Sequence, residues 1–345
     1  MSKANLEKIL IALFFIASLG LFVTYNMRKP TILILHSYDT DYSWVRDVST
    51  GLKRVLNHPE NYYVHWHYMD TKRHPFTDFK ERAGLTARHA IDKLQPDVII
   101  ALDDDAQRYV SRYYINDPKI KIVFAGVNND AETYGFEHAN NVTGILERLP
   151  LDALRETLLL TKPLNQLNHP LRIAFLGDQS ESVTGDAAQV RKFNWAPIQL
   201  ANVSQVDNWA QWQTQLLELN KTADVILVTG YRRLTRTSRD SALVPPAEVA
   251  AWSEANATLP MVSGNDFFVE DGGMLGIGTS PYEQGEEAAR RALSIALNGV
   301  EPKSLPVTSS KQFTVTMRGS RIKARGIELP RVFESAARTG DKYFP

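Results

Sequence analysis

Three consecutive carboxylates, Asp103-Asp104-Asp105, follow the apolar run Val98–Leu102 and form the densest chemical signal in the chain. Paired carboxylates can hold Mg²⁺ or Mn²⁺ against a sugar-nucleotide phosphate. That use would make the chain a two-lobed glycosyltransferase-like enzyme working through Asp103-Asp104-Asp105 with a divalent metal. Such an enzyme needs a glycine-rich phosphate cradle after a strand, and neither a dinucleotide fingerprint nor a P-loop occurs. His65 and His67 alternate on one strand face with Asp70 and His74 just beyond, a second place to consider metal. Without a further ligand cluster, these histidines read as structural. No Gly-x-Ser-x-Gly elbow supports a serine nucleophile. The absence of Cys removes thiol catalysis, disulfides, Cys-ligated zinc and Cys-linked lipid. The expectation is therefore a non-enzyme with no cofactor and no resident metal.

The acids belong to a wider pattern. Short β-rich runs recur at Ile32–Leu35, Val98–Leu102, Ile120–Ala125, Ile173–Leu176, Val225–Val228 and Met261–Ser263. Continuous apolar runs suit strands buried on both faces of a parallel sheet. Tyr63–Met69 alternates instead, and Gln312–Met317 reads as a late strand. Helix-period stripes lie between them, such as Trp44, Val48, Leu52 and Val55, or Trp209, Trp212, Leu216 and Leu219. The alternation restarts near Leu171, so the fold class is α/β, with two doubly wound parallel-sheet lobes and a cleft between them. Gly319–Ala337 reads as short helices broken at Pro330, and the last residues as loose.

Ligands of open α/β sheets bind outside the carboxyl ends of strands. Those ends supply the candidate binding residues: Ser37, Tyr38 and Trp44, then Asp104, then Asn128 and Asn129 in the first half. The second half offers Asp178 and Gln179, Tyr231, and Asn265 with Asp266. Any single Asp, Asn or Ser here has an ordinary alternative, capping the next helix at about 1 kcal/mol. Capping does not account for the aromatic Tyr38, Trp44 and Tyr231, which could wall a site for a small solute.

Composition sets the outer bounds. The chain has 345 residues, 39 Lys plus Arg against 39 Asp plus Glu, and 43% apolar residues. That describes an ordinary globular protein with room for two domains, and a zero net charge argues against nucleic acid as partner. Ile9–Tyr25 is uncharged and apolar, flanked by Lys3, Lys8, Arg28 and Lys29. Its 17 residues suit either a short membrane anchor within a segment 1–29 or a signal peptide cut near Ser18-Leu19-Gly20. Both place the bulk of the chain outside the cytoplasm. The expected address is periplasmic, held to the inner membrane by an uncleaved N-terminal helix through residues 9–25.

The strand-end segments also carry a likeness. Ile32-Leu-Ile-Leu-His-Ser-Tyr38, Met69-Asp-Thr-Lys-Arg73, Pro96–Ala106, Val123–Asn129, Asn141–Glu147 and Gly278–Gly285 together resemble the ABC-transporter substrate-binding family. The likeness extends to Ala324–Pro330 and is nearest to the branch used as extracytoplasmic sensor domains of histidine kinases and diguanylate cyclases. The resemblance implies a type 1 periplasmic-binding fold. Lobe 1 would take 31–145 plus about 281–298, and lobe 2 146–279 plus 301–345. It implies an exported solute-binding protein that closes on a small polar or amino-acid-like ligand and reports to a sensor kinase, a diguanylate cyclase or an ABC permease. Asp104 or Glu147 would then take an ammonium group, and Tyr38 or Trp44 would stack on the side chain.

Overall fold

The computed structural model describes residues 3–27 and 29–345, with side chains over 7–23 and 29–345. Arg28 and the side chains of Lys3, Thr24 and Tyr25, which belong to the anchor reading, lie outside the described residues. Helix α1 (Lys3–Met27) leads to the first strand and exposes its apolar side chains, from Ile9 at 45% to Leu21 at 74%. Among the described residues, no helix is long and apolar enough to cross a membrane.

The first sheet is built from β1 (Thr31–His36), β2 (Tyr63–Tyr68), β3 (Val98–Leu102), β4 (Lys121–Val127) and β5 (Val142–Leu146). Helices α2 (Ser43–Val55), α3 (Thr77–Leu94) and α4 (Asp103–Tyr109) connect its first four strands. Alternate residues of β1 and β3 face opposite layers. Ile32, Ile34 and Ile100 pack on one side, Leu33, Leu35 and Ile99 on the other. Burial on both faces is what makes these strands apolar without interruption.

The second sheet follows α5 (Leu151–Leu160). It comprises β6 (Arg172–Asp178), β7 (Gln199–Val206), β8 (Val225–Val228), β9 (Met261–Ser263) and β10 (Leu275–Thr279). Helices α6 (Glu181–Lys192), α7 (Trp209–Thr222), α8 (Pro246–Asn256) and the short α9 (Phe267–Glu270) lie between its strands. The chain then returns to the first lobe as α10 (Pro281–Asn298) and β11 (Thr308–Ser309). It ends in the second with β12 (Phe313–Arg318), α11 (Gly319–Ala324), α12 (Arg331–Thr339) and β13 (Tyr343–Phe344).

Strand order is β11-β5-β4-β3-β1-β2 in one sheet and β13-β12-β10-β9-β8-β6-β7 in the other. The first is parallel throughout. The second departs from the all-parallel expectation at β12, which pairs antiparallel with β10. The chain enters β12 from the crossing segment at the carboxyl ends of the other strands, so it can only run back. The chain end also departs from expectation: β13 pairs with Met317 and Arg318, and Lys342 Nζ lies 2.9 Å from Asp47 on α2. Three crossings join the lobes, near 147–150, 280 and 310–312. Arg148 ties them together, its N–H donating to Ser310 Oγ at 3.0 Å and its carbonyl accepting from Thr279 Oγ1 at 2.9 Å.

Candidate functional site

Each sheet reverses strand order once, between β1 and β3 in the first and between β6 and β8 in the second. Such reversals leave a crevice at the carboxyl ends. The two crevices face each other around a cavity of about 30 Å³, room for about one water molecule. That is well below the roughly 300–1,000 Å³ typical of small-molecule sites, so the lobes must part to admit a solute.

Lobe 1 contributes Tyr38 and Tyr42 after β1, Trp44 on α2, Lys72 after β2, Asp103 after β3, Asn128 after β4 and Glu147 after β5. Lobe 2 contributes Ser182, Val183 and Asp186 of α6, Thr229 and Gly230 after β8, Asn265 after β9 and Phe267 of α9. Local backbone explains part of this placement. Asp103 takes the left-handed conformation, with φ of 68°. This turns it out of β3, and its Oδ1 accepts the Trp44 indole N–H at 2.8 Å. Gly126 sits opposite with φ of 67°, where a Cβ would lie 3.1 Å from that same Oδ1 and 3.5 Å from the Trp44 ring. Only glycine fits there without strain.

The electrostatics are unusual for a cavity of this size. Tyr38 and Tyr42 pack edge to face at 5.5 Å, and Lys72 Nζ lies 4.7 Å from the Tyr38 ring centre. Among the described residues, no carboxylate lies within 4.0 Å of Lys72 Nζ. Burial pushes its ammonium pKa down, against the pull of Asp178 and Asp103. Burial raises Asp103 well above the usual carboxylate range, with Lys72 opposing and Asp104 adding to the rise. Glu147 is raised too, by burial first and then by Asp186 and Asp103. Asp186 is pushed up to about 7 by burial, although Asn128 donates to its Oδ1 at 2.9 Å. Asp103 Oδ2 is buried and has no hydrogen-bond partner. Leaving such a group unpaired costs roughly 1–3 kcal/mol, which a ligand supplying a partner would recover.

Of the residues expected from sequence, the structure brings Tyr38, Trp44, Asn128, Glu147 and Asn265 to the cavity. It places the others elsewhere. Ser37 Oγ donates to Leu102 O and accepts from Ala106 N, tying β1 to α4. Asp104 is fully buried and its carboxylate accepts from Asn128 N, Asn129 N, Asn129 Nδ2 and Tyr134 Oη. It holds the β4 loop and has nothing left for an ammonium, and Asn129 is spent on the same bond. Asp178 accepts from Ser180 N and Arg233 N, while Gln179 faces solvent. Tyr231 lies in the lobe 2 core with its hydroxyl on Asp271, and Asp266 accepts from Thr314 and Thr316. The acidic triplet also separates: Asp105 pairs with Lys80 at 2.8 Å, away from Asp103. Among the described residues, no group of three or more His, Asp and Glu is arranged to hold a metal ion.

Sequence reasoning weighs Asp103 only as a metal ligand and passes over Tyr42, Lys72, Ser182, Asp186, Thr229 and Phe267. Lys72 stands within the Met69–Arg73 segment. Asp186 had a signal of its own, an acid beside Val183, Ala187 and Val190 on the buried face of α6.

Comparison with known proteins agrees with this architecture. Residues 227–339 match the family model described as ABC transporter substrate binding protein. The ABC domain from Streptococcus pneumonia, solved in complex with L-Trp, aligns with a TM-score of 0.65 at 14% identity, covering 89% of this chain and 98% of that one. A conserved domain protein from Vibrio cholerae aligns at 0.63 and 17%, covering 89% and 98%. A leucine binding protein of Thermotoga maritima aligns at 0.56 and 13%, covering 88% and 97%. No curated protein matches the chain. The likeness to the ABC-transporter substrate-binding family seen in the sequence is borne out, and so is the two-lobed α/β fold.

Proposed function

We propose that this is an exported solute-binding protein whose lobes close on a small amino-acid-like zwitterion. The observation that carries the reading is the charge pattern of the interlobe cavity. Lys72 stands without an ion pair among the described residues, and in the same cavity Asp103 Oδ2 is buried without a donor. A ligand bearing a carboxylate and an ammonium would satisfy both groups. The aromatic walls of Tyr38, Tyr42, Trp44 and Phe267 suit the rest of such a molecule. The L-Trp complex and the leucine binding protein with the same fold support this class of ligand.

Function follows from differential affinity. The ligand touches both lobes only when they are closed, so it stabilises that state, and a partner reads it. The partner would be a membrane sensor kinase or diguanylate cyclase, or an ABC permease. The bulk of the chain would be periplasmic, with the exposed apolar side chains of Ile9–Val23 on α1 giving a means of anchorage.

A thermal-shift screen of amino acids, short peptides, purines and organic acids tests the reading. A true ligand at 100 times its Kd adds about 2.7 kcal/mol of stability, a rise of several degrees. Trp44→Ala should abolish the shift at the same ligand concentration. No shift with any compound would sink the solute-binding reading.

A further inference from the structure

The cavity has more acid than a neutral amino acid can satisfy. Four ionisable side chains line it, Lys72, Asp103, Glu147 and Asp186, and none has an ion-pair partner within 4.0 Å among the described residues. Charged groups around them are committed elsewhere: Asp105 to Lys80, Arg232 to Asp271, Arg148 to Asp130. Asp104 and Asp178 are held by backbone N–H groups. Burial raises all three carboxyls, so in the empty cavity they favour the protonated form. The lining still holds three carboxyls against one ammonium. The two charges of a neutral amino acid match Lys72 and one acid, and a second ammonium on the ligand would give another acid the cation that lets it ionise.

A second, independent feature points the same way. Tyr38, Tyr42, Trp44 and Phe267 all face the cavity, and aromatic faces attract cations through their ring quadrupole. The cavity already uses this attraction for its own cation, Lys72 over Tyr38. The unpartnered Asp103 Oδ2, on a residue only 3% exposed, is a ready acceptor for an ammonium N–H.

We propose that the ligand is an amino acid with a basic side chain, its carboxylate toward Lys72 and its two cationic groups toward Asp103 and Glu147. This rests on the solute-binding reading above and narrows it. Neutral amino acids fill the aromatic part of the site and leave one acid without a cation.

Isothermal titration of the intact protein at pH 7.5 with L-lysine, L-ornithine, L-leucine, L-tryptophan and the diamine cadaverine decides the matter. Lysine or ornithine should bind at least about tenfold tighter than leucine or tryptophan. Cadaverine, lacking the carboxylate, should bind at least about tenfold weaker than lysine. Glu147→Gln and Lys72→Met should each weaken lysine by about tenfold or more. Leucine or tryptophan binding as tightly as lysine overturns the charge assignment and leaves solute binding standing. Cadaverine matching lysine overturns the role given to Lys72. No binding of any of the five, with no hit in the wider thermal screen, removes the parent reading instead. Should either variant fail to fold, the wild-type series alone still decides.

Discussion

Asp186 gives the cavity a pH signature that can be read without any ligand. Its carboxyl is raised from 3.8 to about 7 because burial disfavours the charged form. A raised acid contributes stability that is complete below its unfolded pKa and is lost as pH rises through the folded value. The contribution of this group should therefore be lost between about pH 4 and 7, with a slope of at most about 1.4 kcal/mol per pH unit, read as the difference between wild type and variant. Asp186→Asn should flatten that slope; an unchanged slope would assign the effect elsewhere. His36 acts on the acid side. Its imidazole is fully buried and pushed down to about 3, so the native state resists protonation and stability falls as pH drops below 6.5. Residue identity in the Asp103–Asp105 run shows how far a sequence can be read. Strand-end chemistry was legible there, because an apolar run ends abruptly in acids. Which acid faces the cavity was not, because successive residues of a helical first turn point about 100° apart. A positive φ at Asp103 decides it. Asp104→Asn should accordingly cost about 1–3 kcal/mol in urea unfolding, through the β4 loop it holds.

Elements pack most tightly where α10 lies on α2. A Cβ on Gly285 would sit 2.1 Å from Val48 O, and one on Gly51 would sit 2.3 Å from Tyr282 O. Two glycines facing each other's helix let the backbones touch. Gly285→Ala should push the helices apart and lower stability by about 1–3 kcal/mol, read as a shift in urea midpoint. The fully buried strands and the amphipathic helices were legible because both leave a periodicity. Trp212 is one such case, sealed in the core with its indole N–H on Ser253 Oγ. β7 was not legible: it is an edge strand whose polar, half-exposed residues carry neither pattern. The reversed β12 was legible as a strand but not in direction, since direction depends on where the chain re-enters the lobe.

The molecule as a whole is held with its lobes together. Arg232 of lobe 2 stacks 5.2 Å from the Tyr42 ring centre of lobe 1, and Asn128 reaches Asp186 across the gap. Arg108 pairs with Glu181, and Lys342 with Asp47. Arg232→Ala removes the aromatic clasp and should enlarge the ligand-free radius of gyration in small-angle scattering; an unchanged radius would mean the other contacts suffice. The two-lobed plan was legible from the restart of strand alternation near Leu171. The composition of the cleft was only partly so, because it draws single residues from segments up to 229 positions apart, from Tyr38 to Phe267. The return of α10 to the first lobe has one more consequence, for the order of assembly during synthesis. Strands β1 to β5 leave the ribosome first, yet Ala288, Ala289 and Ala292 of α10 complete the layer over Ile32, Ile34 and Ile100. The half begun first is thus finished last. A chain interrupted anywhere between residues 147 and 280 carries a sheet with one apolar face uncovered, a surface prone to aggregation.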